Sequence, residues 1–239
     1  MNDAADPIEW GSVAERLFPG GHDITADGAF LAGWGRNGET DFAIVGTTDH
    51  AEIGVDLALR MAQRVLATVR EHPGRPILFL VDTTGQRLAH RDELLGINRY
   101  MGHLAKCVDL ARRAGHRVLG LVYDQALSGG FLASAMMADL CAALPKAEIR
   151  VMNLAAMARV TRIAEERLRR LAAESPVFAP GAINYVRMGA IDALWEGDLA
   201  RALADMLVRA QPTDRRRDVG RDRGGRRLAA AIAERASRE

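Results

Sequence analysis

Two glycine-containing segments combine residue types and spacing that could do chemistry. Asp82-Thr83-Thr84-Gly85 and Leu127-Ser128-Gly129-Gly130 each follow an apolar run that is typical of a buried strand. Because ligands collect at the carboxyl ends of parallel strands, the two segments could line one pocket. Glycine lets the backbone approach a ligand closely, and the N–H groups that begin a helix have no partner inside it. The pattern offers donors for an anion; the alternative is a tight turn that only packs small residues.

Other catalytic signatures are weak in this sequence. It contains no G-x-x-x-x-G-K-[ST] phosphate loop and no G-x-S-x-G nucleophile elbow. Ser128 precedes two glycines, yet no histidine or aspartate can be assigned to activate it as a nucleophile. Asp92 and Glu93 lie where a helix should begin, so capping of the helix dipole is favoured over acid catalysis. His90 is a candidate proton carrier, because an imidazole titrates near neutral pH.

The sequence predicts neither a metal site nor a disulfide. The six histidines form no H-E-x-x-H motif, and the pair His103 and Cys107, one helical turn apart, is interpreted as packing. Cys107 and Cys141 lie in apolar contexts without a C-x-x-C spacing. Both are therefore predicted to be buried free thiols in a reducing compartment.

Composition and charge are those of an ordinary globular chain of 239 residues, with 49% hydrophobic and 26% charged side chains. The net charge is +1, so no global field attracts nucleic acid or a membrane surface. Apolar runs such as residues 77–81 are far shorter than the ~20 residues that span a bilayer, and the first residues carry no signal-like region. We expect a cytoplasmic protein that binds neither nucleic acid nor membrane.

Hydrophobic periodicity predicts the elements that must position the glycine segments. Strands Phe30–Trp34 and Asp41–Gly46 flank Asn37-Gly38, a dipeptide that supplies the positive φ angles of a tight hairpin. Strands alternate with amphipathic helices after this hairpin, which indicates a largely parallel sheet. The predicted strands are 76–82, followed by a polar loop at 83–86, then 118–123, 140–144 and 149–152. The predicted helices are 51–70, 92–114, 131–137, 155–173 and 199–210.

An arginine-rich segment ends the chain. Its arginines are interrupted by Asp214, Asp218 and Asp222. A solvated tail with a short helix at 227–235 is favoured, and an arm that docks a partner is the alternative. The sequence is accordingly divided into an N-terminal segment (1–24), one domain (25–210) and the Arg-rich tail (211–239).

An ordered set of short segments resembles the carboxyltransferase branch of the crotonase superfamily. The segments are Gly74-Arg75-Pro76, Val81-Asp82-Thr83-Thr84-Gly85, Ser128-Gly129-Gly130, Ala138-Asp139 and Ala147–Met152. The stretches Val81–His90 and Tyr123–Met137 look most like the gamma-subunit family of biotin-independent malonate decarboxylases. The resemblance covers about residues 25–210. It implies an α/β fold, a crotonase-like β-β-α superhelix stacked into two sheets, in a single domain with C-terminal helices.

The resemblance also implies a reaction and its partners. This chain would act with the malonate decarboxylase beta subunit to convert malonyl thioester to acetyl thioester and CO2. The substrate would be presented on the phosphoribosyl-dephospho-CoA prosthetic group of an acyl carrier protein subunit, and no cofactor would bind this chain directly. Two other interpretations stay open: a carboxyltransferase subunit of a biotin-dependent acyl-CoA carboxylase, and a non-catalytic scaffold for the partner subunit.

By the same resemblance, the backbone N–H groups of Gly130 and Phe131 are the expected oxyanion donors. The expected substrate-binding residues are Thr84, Gly85, Gln86, Ser128 and Gly129. The chain departs from the family pattern at Thr84, where relatives often have proline, and at Phe131, where they often have alanine. Both positions keep a backbone N–H, so the departures affect the size of the pocket and leave the donors in place.

Overall fold

The computed structural model of this protein describes residues 8–152, 154–174, 181–225 and 228–238. Strands and helices alternate along these residues, as predicted for an α/β chain. The strands are β1 (Thr25–Asp27), β2 (Phe30–Asn37), β3 (Thr40–Thr47), β4 (Ala51–Ile53), β5 (Ile77–Gln86), β6 (Val118–Leu127), β7 (Leu140–Ala143), β8 (Glu148–Arg150) and β9 (Ala193–Leu194). The helices are α1 (Trp10–Leu17), α2 (Val55–Glu71), α3 (His90–Leu95), α4 (Ile97–Arg113), α5 (Ser128–Leu132), α6 (Leu154–Thr161), α7 (Glu165–Glu174), α8 (Ala182–Arg187), α9 (Leu199–Arg209), α10 (Arg216–Asp222) and α11 (Ala229–Ala236).

The described strands form one sheet in the order β1-β2-β3-β5-β6-β7-β9, with β4 attached to β5 and β8 attached to β6. The expectation of two stacked sheets is thus corrected, because β5 and β6 continue into the pairing with β4 and β8 and join all of these strands in one sheet. The hairpin β2–β3 is antiparallel, and its turn contains Gly38 with a φ of +57°, so the predicted hairpin is confirmed. From β3 to β9 the neighbouring strands are parallel, as the alternation of strands and helices predicts. No helix among the described residues is long and apolar enough to cross a bilayer.

Strands β5 and β6 pair with each other, and near its C-terminal end each also pairs with one further strand. They pair in register from Ile77 opposite Val118 to Val81 opposite Val122. Over the next step β5 advances by two residues to Thr83, while β6 advances by four residues to Ala126. Beyond this slip β5 pairs with β4 and β6 pairs with β8, which gives a short four-stranded extension of the sheet. The predicted polar loop at 83–86 is therefore wrong, because these residues find backbone partners and continue the strand.

The central strands are apolar throughout because both faces of the sheet are covered. Successive residues of a strand point to opposite faces. Phe79 and Val81 lie in a core cluster that includes residues of α2 and α4. Leu78 and Leu80 lie in a second cluster that includes residues of α1 and α9. The sheet is thus sandwiched between two helical layers, as a continuous apolar strand requires.

Four predicted helices have different bounds. The helix predicted at 155–173 is divided into α6 and α7. The other three differ for local reasons. The helix predicted at 51–70 begins at Val55, because residues 51–53 pair with β5 as strand β4. The helix predicted at 92–114 is divided into α3 and α4 at Gly96, whose φ is +77°. The helix predicted at 131–137 begins earlier, as α5, and residues 135–137 form a separate 3-10 turn.

Parts of both terminal segments pack against the domain. Helix α1, inside the segment 1–24, buries Val13, Ala14 and Leu17 in the second core cluster. In the tail, Arg216 donates a 2.6 Å hydrogen bond to the carbonyl oxygen of Ala138. Arg223 donates hydrogen bonds to the carbonyl oxygens of residues 186, 191 and 192. The favoured solvated tail is thus corrected for residues 216–223, because Arg216 and Arg223 at the two ends of α10 donate to carbonyl groups of the domain.

The C-terminal helix fits the earlier expectation better. Helix α11 forms close to the predicted range 227–235 and buries none of its residues. Arg226 and Arg227 lie outside the described residues. The boundaries at residues 24 and 210 stay predictions.

A buried ion pair joins the beginnings of α2 and α3. Asp92 is fully buried and accepts hydrogen bonds of 2.6 and 3.0 Å from the guanidinium of Arg87. Its Oδ1 atom also accepts a 2.9 Å hydrogen bond from the N–H of Val55, in the first turn of α2. The capping role predicted for Asp92 is therefore present, but it serves α2 and not its own helix. Hydrogen bonding to Arg87 lowers the pKa of Asp92 to about 2.

The dependence of the Tm on pH in the acid range tests the contribution of this ion pair to stability. Because the pKa of Asp92 is lower in the folded chain than the ~3.9 of an unfolded aspartate, its stabilisation is fully present above about pH 4 and is lost as the pH falls towards about 2. We expect Asp92→Asn to lower the Tm at pH 7 and to flatten the loss of Tm across that acid range. Thermal unfolding followed by circular dichroism measures both effects.

The matched control is Asp109→Asn, which removes an exposed ion pair with Arg113 inside α4. We expect this variant to shift the Tm by less than ~2 °C, since exposed pairs contribute little. Equal losses of Tm in the two variants would contradict the stabilising role of Asp92.

Candidate functional site

The two glycine segments identified in the sequence meet at the end of β5 and the start of α5. A Cβ atom on Gly130 would lie 3.0 Å from the carbonyl carbon of Gly85 and 2.9 Å from Cδ1 of Ile53. Gly85 has a φ of +103°, and a Cβ atom on it would lie 2.8 Å from the Cβ of Ser128. Real Cβ atoms tolerate such distances poorly. Only glycine at both positions allows this approach of strand and turn.

Helix α5 presents backbone donors directly beside this contact. The N–H of Gly129 donates a 3.0 Å hydrogen bond to Oε1 of Gln86. The N–H of Gly85 donates a 2.9 Å hydrogen bond to Oγ1 of Thr83. Among the described residues, the N–H of Gly130 has no hydrogen-bond acceptor. The N–H of Phe131 follows it along the helix, four residues after the carbonyl group of the N-cap residue Leu127.

The side chains around these donors form hydrogen bonds that hold the turn. The hydroxyl of Ser128 donates a 2.7 Å hydrogen bond to the carbonyl oxygen of Val151. The hydroxyl of Ser134 donates a 2.7 Å hydrogen bond to the carbonyl oxygen of Gly130. Phe131 is 2% exposed, and its ring is buried in the first core cluster. The turn is thus anchored from several sides while the N–H of Gly130 stays available.

Two other candidate residues lie at the margin of this group. Thr84 is exposed, and its hydroxyl donates a 3.1 Å hydrogen bond to the carbonyl oxygen of His50. His90 is exposed at the first residue of α3 and forms no hydrogen bond with Gly85, Gln86 or α5. The structure therefore brings together Gly85, Gln86 and residues 128–131, and it does not join His90 to them.

A second cluster of polar groups was missed by sequence reasoning. The side chains of His50, Asp82 and Asp124 lie at the register slip between β5 and β6. Burial raises the pKa of Asp82 above its usual range, although the N–H of His50 donates to its carboxylate. The one signal in the sequence is that Asp82 and Asp124 each end an apolar strand run. His50 carries no such signal, because only the fold places it there.

The two cysteine thiols are buried and free, as predicted, and the pair His103 and Cys107 forms the predicted packing contact. Cys107 and Cys141 are both free and buried. Burial raises the pKa of Cys141 to about 12 and raises the pKa of Cys107 as well. Sγ of Cys107 lies 3.6 Å from Nε2 of His103, which is the packing contact expected one turn apart on a helix. The pKa shifts leave both thiols protonated and unreactive.

Comparison with known proteins gives concordant results. A family model described as malonate decarboxylase gamma subunit matches residues 48–239. The malonyl-S-ACP:biotin-protein carboxyltransferase of Malonomonas rubra is 33% identical over 153 residues, which is 60% of this chain and 52% of that protein. The chain thus spans about half the length of the curated relative that it matches.

Solved structures show the same fold. A Pseudomonas malonate decarboxylase hetero-tetramer in complex with coenzyme A contains a chain that is 26% identical, with a TM-score of 0.72 and 95% coverage of each chain. A Pseudomonas malonate decarboxylase MdcD-MdcE hetero-dimer gives the same identity and TM-score, covering 95% of this chain and 97% of that chain. Transcarboxylase 12S, at 19% identity, shares the fold with a TM-score of 0.71 over 89% of this chain and 44% of that chain. The predicted crotonase-like carboxyltransferase fold is confirmed, and the chain belongs to the malonate decarboxylase gamma subunit family.

Proposed function

We propose that this chain acts with a beta subunit to decarboxylate malonyl thioester on an acyl carrier protein, giving acetyl thioester and CO2. Family membership supports the reaction class. The observation that carries the mechanism is the N–H of Gly130, which has no acceptor in the described part of the chain and lies in the first turn of α5, beside the close contact with Gly85. A buried turn with a free donor is suited to an oxygen that gains negative charge.

The reaction needs a group that stabilises an enolate. When the bond between the carboxylate and the methylene carbon breaks, CO2 leaves and the electron pair passes into the thioester as an enolate. A proton added to the methylene carbon then gives the acetyl thioester. The N–H groups of Gly130 and Phe131 bind an oxygen of the malonyl group on which charge develops, and they need no proton transfer to do so. Donors that are fixed in advance bind the charged transition state more strongly than the ground state.

The remaining residues of the group shape the site. Oε1 of Gln86 occupies the N–H of Gly129, so the free donors are limited to those that follow it. Thr84, Gly85 and Ser128 line the approach to these donors, and His90 stays a proposed proton carrier outside this hydrogen-bonded group. No side chain in this group is arranged as a nucleophile, because the Ser128 hydroxyl is directed to a carbonyl oxygen.

The proposed substrate is carried by a protein. The Malonomonas rubra relative is named for malonyl-S-ACP, and the Pseudomonas hetero-tetramer contains coenzyme A. Both support a thioester on a long, flexible carrier. We propose that the carrier is the phosphoribosyl-dephospho-CoA group of an acyl carrier protein subunit and that this chain holds no cofactor of its own. A cytoplasmic location is part of the proposal, supported by the two buried free thiols.

Exposed apolar side chains near the site support a protein partner. Leu132 of α5 is 44% exposed, and Val151, whose carbonyl oxygen accepts the Ser128 hydroxyl, is 49% exposed. Leu88 and Leu94, which follow β5, are 82% and 74% exposed. Apolar residues grouped beside a site commonly mark an interface. We propose that the beta subunit covers this surface and completes the substrate pocket.

A second function is favoured by a specific observation. The relative from Malonomonas rubra is named as a biotin-protein carboxyltransferase and is 33% identical to this chain. In that reaction the carboxyl group would pass to biotin and would not be released as CO2, while the same N–H donors would stabilise the enolate. The two functions differ in one measurable property, which is the need for biotin.

A substitution that crowds the backbone at Gly130 tests the role of the proposed N–H donors. We expect Gly130→Val to lower kcat by about 100-fold or more, because one lost oxyanion donor has an effect of that size. The KM should change much less, since the lost interaction belongs to the transition state. The assay measures CO2 release from malonyl thioester by the assembled complex.

Two control variants accompany Gly130→Val. Gly102 in α4 is exposed, and a Cβ atom there would meet nothing within 4 Å, so Gly102→Val should keep wild-type kcat. Ser128→Ala should also change kcat little, because the hydroxyl has only a structural bond. Loss of activity in Ser128→Ala together with normal activity in Gly130→Val, in an intact heteromer, would replace the oxyanion mechanism by a serine-centred one.

The partner requirement is a separate prediction. We expect the purified chain alone to release no CO2 from malonyl thioester and to gain activity when it is co-expressed with a malonate decarboxylase beta subunit and an acyl carrier protein subunit. Avidin added to the active complex should leave the rate unchanged. A rate from the single chain that equals the rate of the complex would contradict the shared site. Inhibition by avidin would establish the biotin-dependent alternative.

A further inference from the structure

Three side chains that could ligate a metal ion form a compact cluster. They lie outside the turn Ser128–Phe131 that carries the proposed oxyanion donors, which is called the oxyanion turn below. His50 immediately precedes β4, Asp82 lies in β5 and Asp124 lies in β6. Nε2 of His50 lies 3.1 Å from Oδ2 of Asp124 and 3.8 Å from Oδ1 of Asp82. One ligand atom from each side chain lies within 4.8 Å of the other two. This is a mixed set of one imidazole nitrogen and two carboxylate oxygens.

Asp82 supplies an independent sign that a cation belongs here. Its side chain is 4% exposed, and its Oδ1 atom has no hydrogen bond of ordinary geometry among the described residues, although the backbone N–H of Gln125 also acts on this carboxylate. Its Oδ2 atom accepts a 2.7 Å hydrogen bond from the backbone N–H of His50. That bond fixes the carboxylate so that Oδ1 is directed into the cluster. A buried carboxylate oxygen without a partner is unfavourable unless a positive charge lies against it.

We propose that His50, Asp82 and Asp124 bind a divalent transition-metal ion, with Zn²⁺ as the best fit. Zinc bonds of about 2.0–2.1 Å in a tetrahedron place neighbouring ligand atoms roughly 3.4 Å apart. The two distances from His50, 3.1 and 3.8 Å, lie on either side of that value. Imidazole with carboxylates suits zinc and related first-row ions, whereas Ca²⁺ and Mg²⁺ prefer oxygen ligands alone.

Surrounding groups hold the three ligands in position. Asp49 and His50 have φ angles of 56° and 51°, so the turn into β4 directs the imidazole back towards the strands. The hydroxyl of Thr84 donates to the carbonyl oxygen of His50, and the N–H of Ile8 donates a 3.2 Å hydrogen bond to Oδ2 of Asp124. Contacts of this kind orient ligands in metal sites. The side chain of His50 is 39% exposed, which leaves solvent access for a fourth ligand.

The role of the ion would be to join three segments at the register slip. The ligands come from the β3–β4 turn and from the two central strands, so a bound ion crosslinks the point where the sheet divides. Binding to the folded chain alone stabilises it in proportion to the logarithm of ligand concentration. This inference is independent of the proposed decarboxylase function, because the cluster shares no residue with the oxyanion turn.

Titration of the full chain with ZnCl₂ alone tests the proposal. The tag-free protein is first treated with a chelator, and calorimetry and thermal unfolding then follow the addition of Zn²⁺. We expect one equivalent to bind and the Tm to rise with Zn²⁺ concentration. His50→Gln and Asp124→Asn should each weaken Zn²⁺ binding by about 100-fold. His72→Gln, which changes an exposed histidine at the end of α2, is the matched control and should bind as wild type does.

A spectrum of the wild-type chain gives a readout that needs no variant. We expect Co²⁺ to give the visible absorption of a four-coordinate ion without a sulfur-to-metal charge-transfer band, which excludes Cys107 and Cys141 as ligands. Absence of binding at millimolar Zn²⁺ would overturn the proposal. Equal Zn²⁺ affinity in wild type, His50→Gln and Asp124→Asn would also overturn it, as would a thiolate band in the Co²⁺ spectrum.

Discussion

The close approach of β5 to the first turn of α5 is the constraint on which the site depends. A side chain at Gly85 or at Gly130 would enter the space that the other segment occupies. The contact is possible because β6 uses two more residues than β5 in crossing from the main sheet to its extension. That slip redirects both strand ends and brings the Ser128–Phe131 turn against the end of β5. The position of the N–H groups is therefore set by this backbone contact, and side-chain hydrogen bonds such as that of Ser128 to Val151 hold it.

The same slip explains why two different clusters form so close together in sequence. Before it, alternating residues of β5 and β6 enter one or the other core. At the slip this alternation is interrupted, and Asp82 stays buried while Asp124 and His50 come within contact distance of it. Beyond the slip, Gly85 and Gly130 allow β5 and α5 to approach each other closely. The cluster of His50, Asp82 and Asp124 and the turn Ser128–Phe131 are thus two consequences of one irregularity in strand pairing.

Sequence patterns predicted the hairpin at Asn37-Gly38, the buried strands, the buried thiols and the fold class. These features rest on local propensities, on burial and on an ordered set of short motifs. The pairing of Thr83–Gln86 with β4 could not be predicted from local sequence. A polar segment after an apolar run predicts a loop unless its partner strand is known. The helix that Asp92 caps was also beyond local reasoning, since the chain must first bring Val55 next to it. For the same reason His50 carried no recognisable signal.

The two ends of the main sheet are closed in different ways. At one end β1 has only three residues, and at the other β9 has only two. Arg223 donates to the carbonyl oxygens of Ile191 and Asp192, which directly precede β9. Free backbone groups at a sheet edge invite pairing with another chain, and short or covered edges prevent it. Short strands and the contacts of Arg223 therefore disfavour pairing of the sheet with a second chain at these two edges. A chain truncated before α10 would lose the contacts that cover the edge at β9.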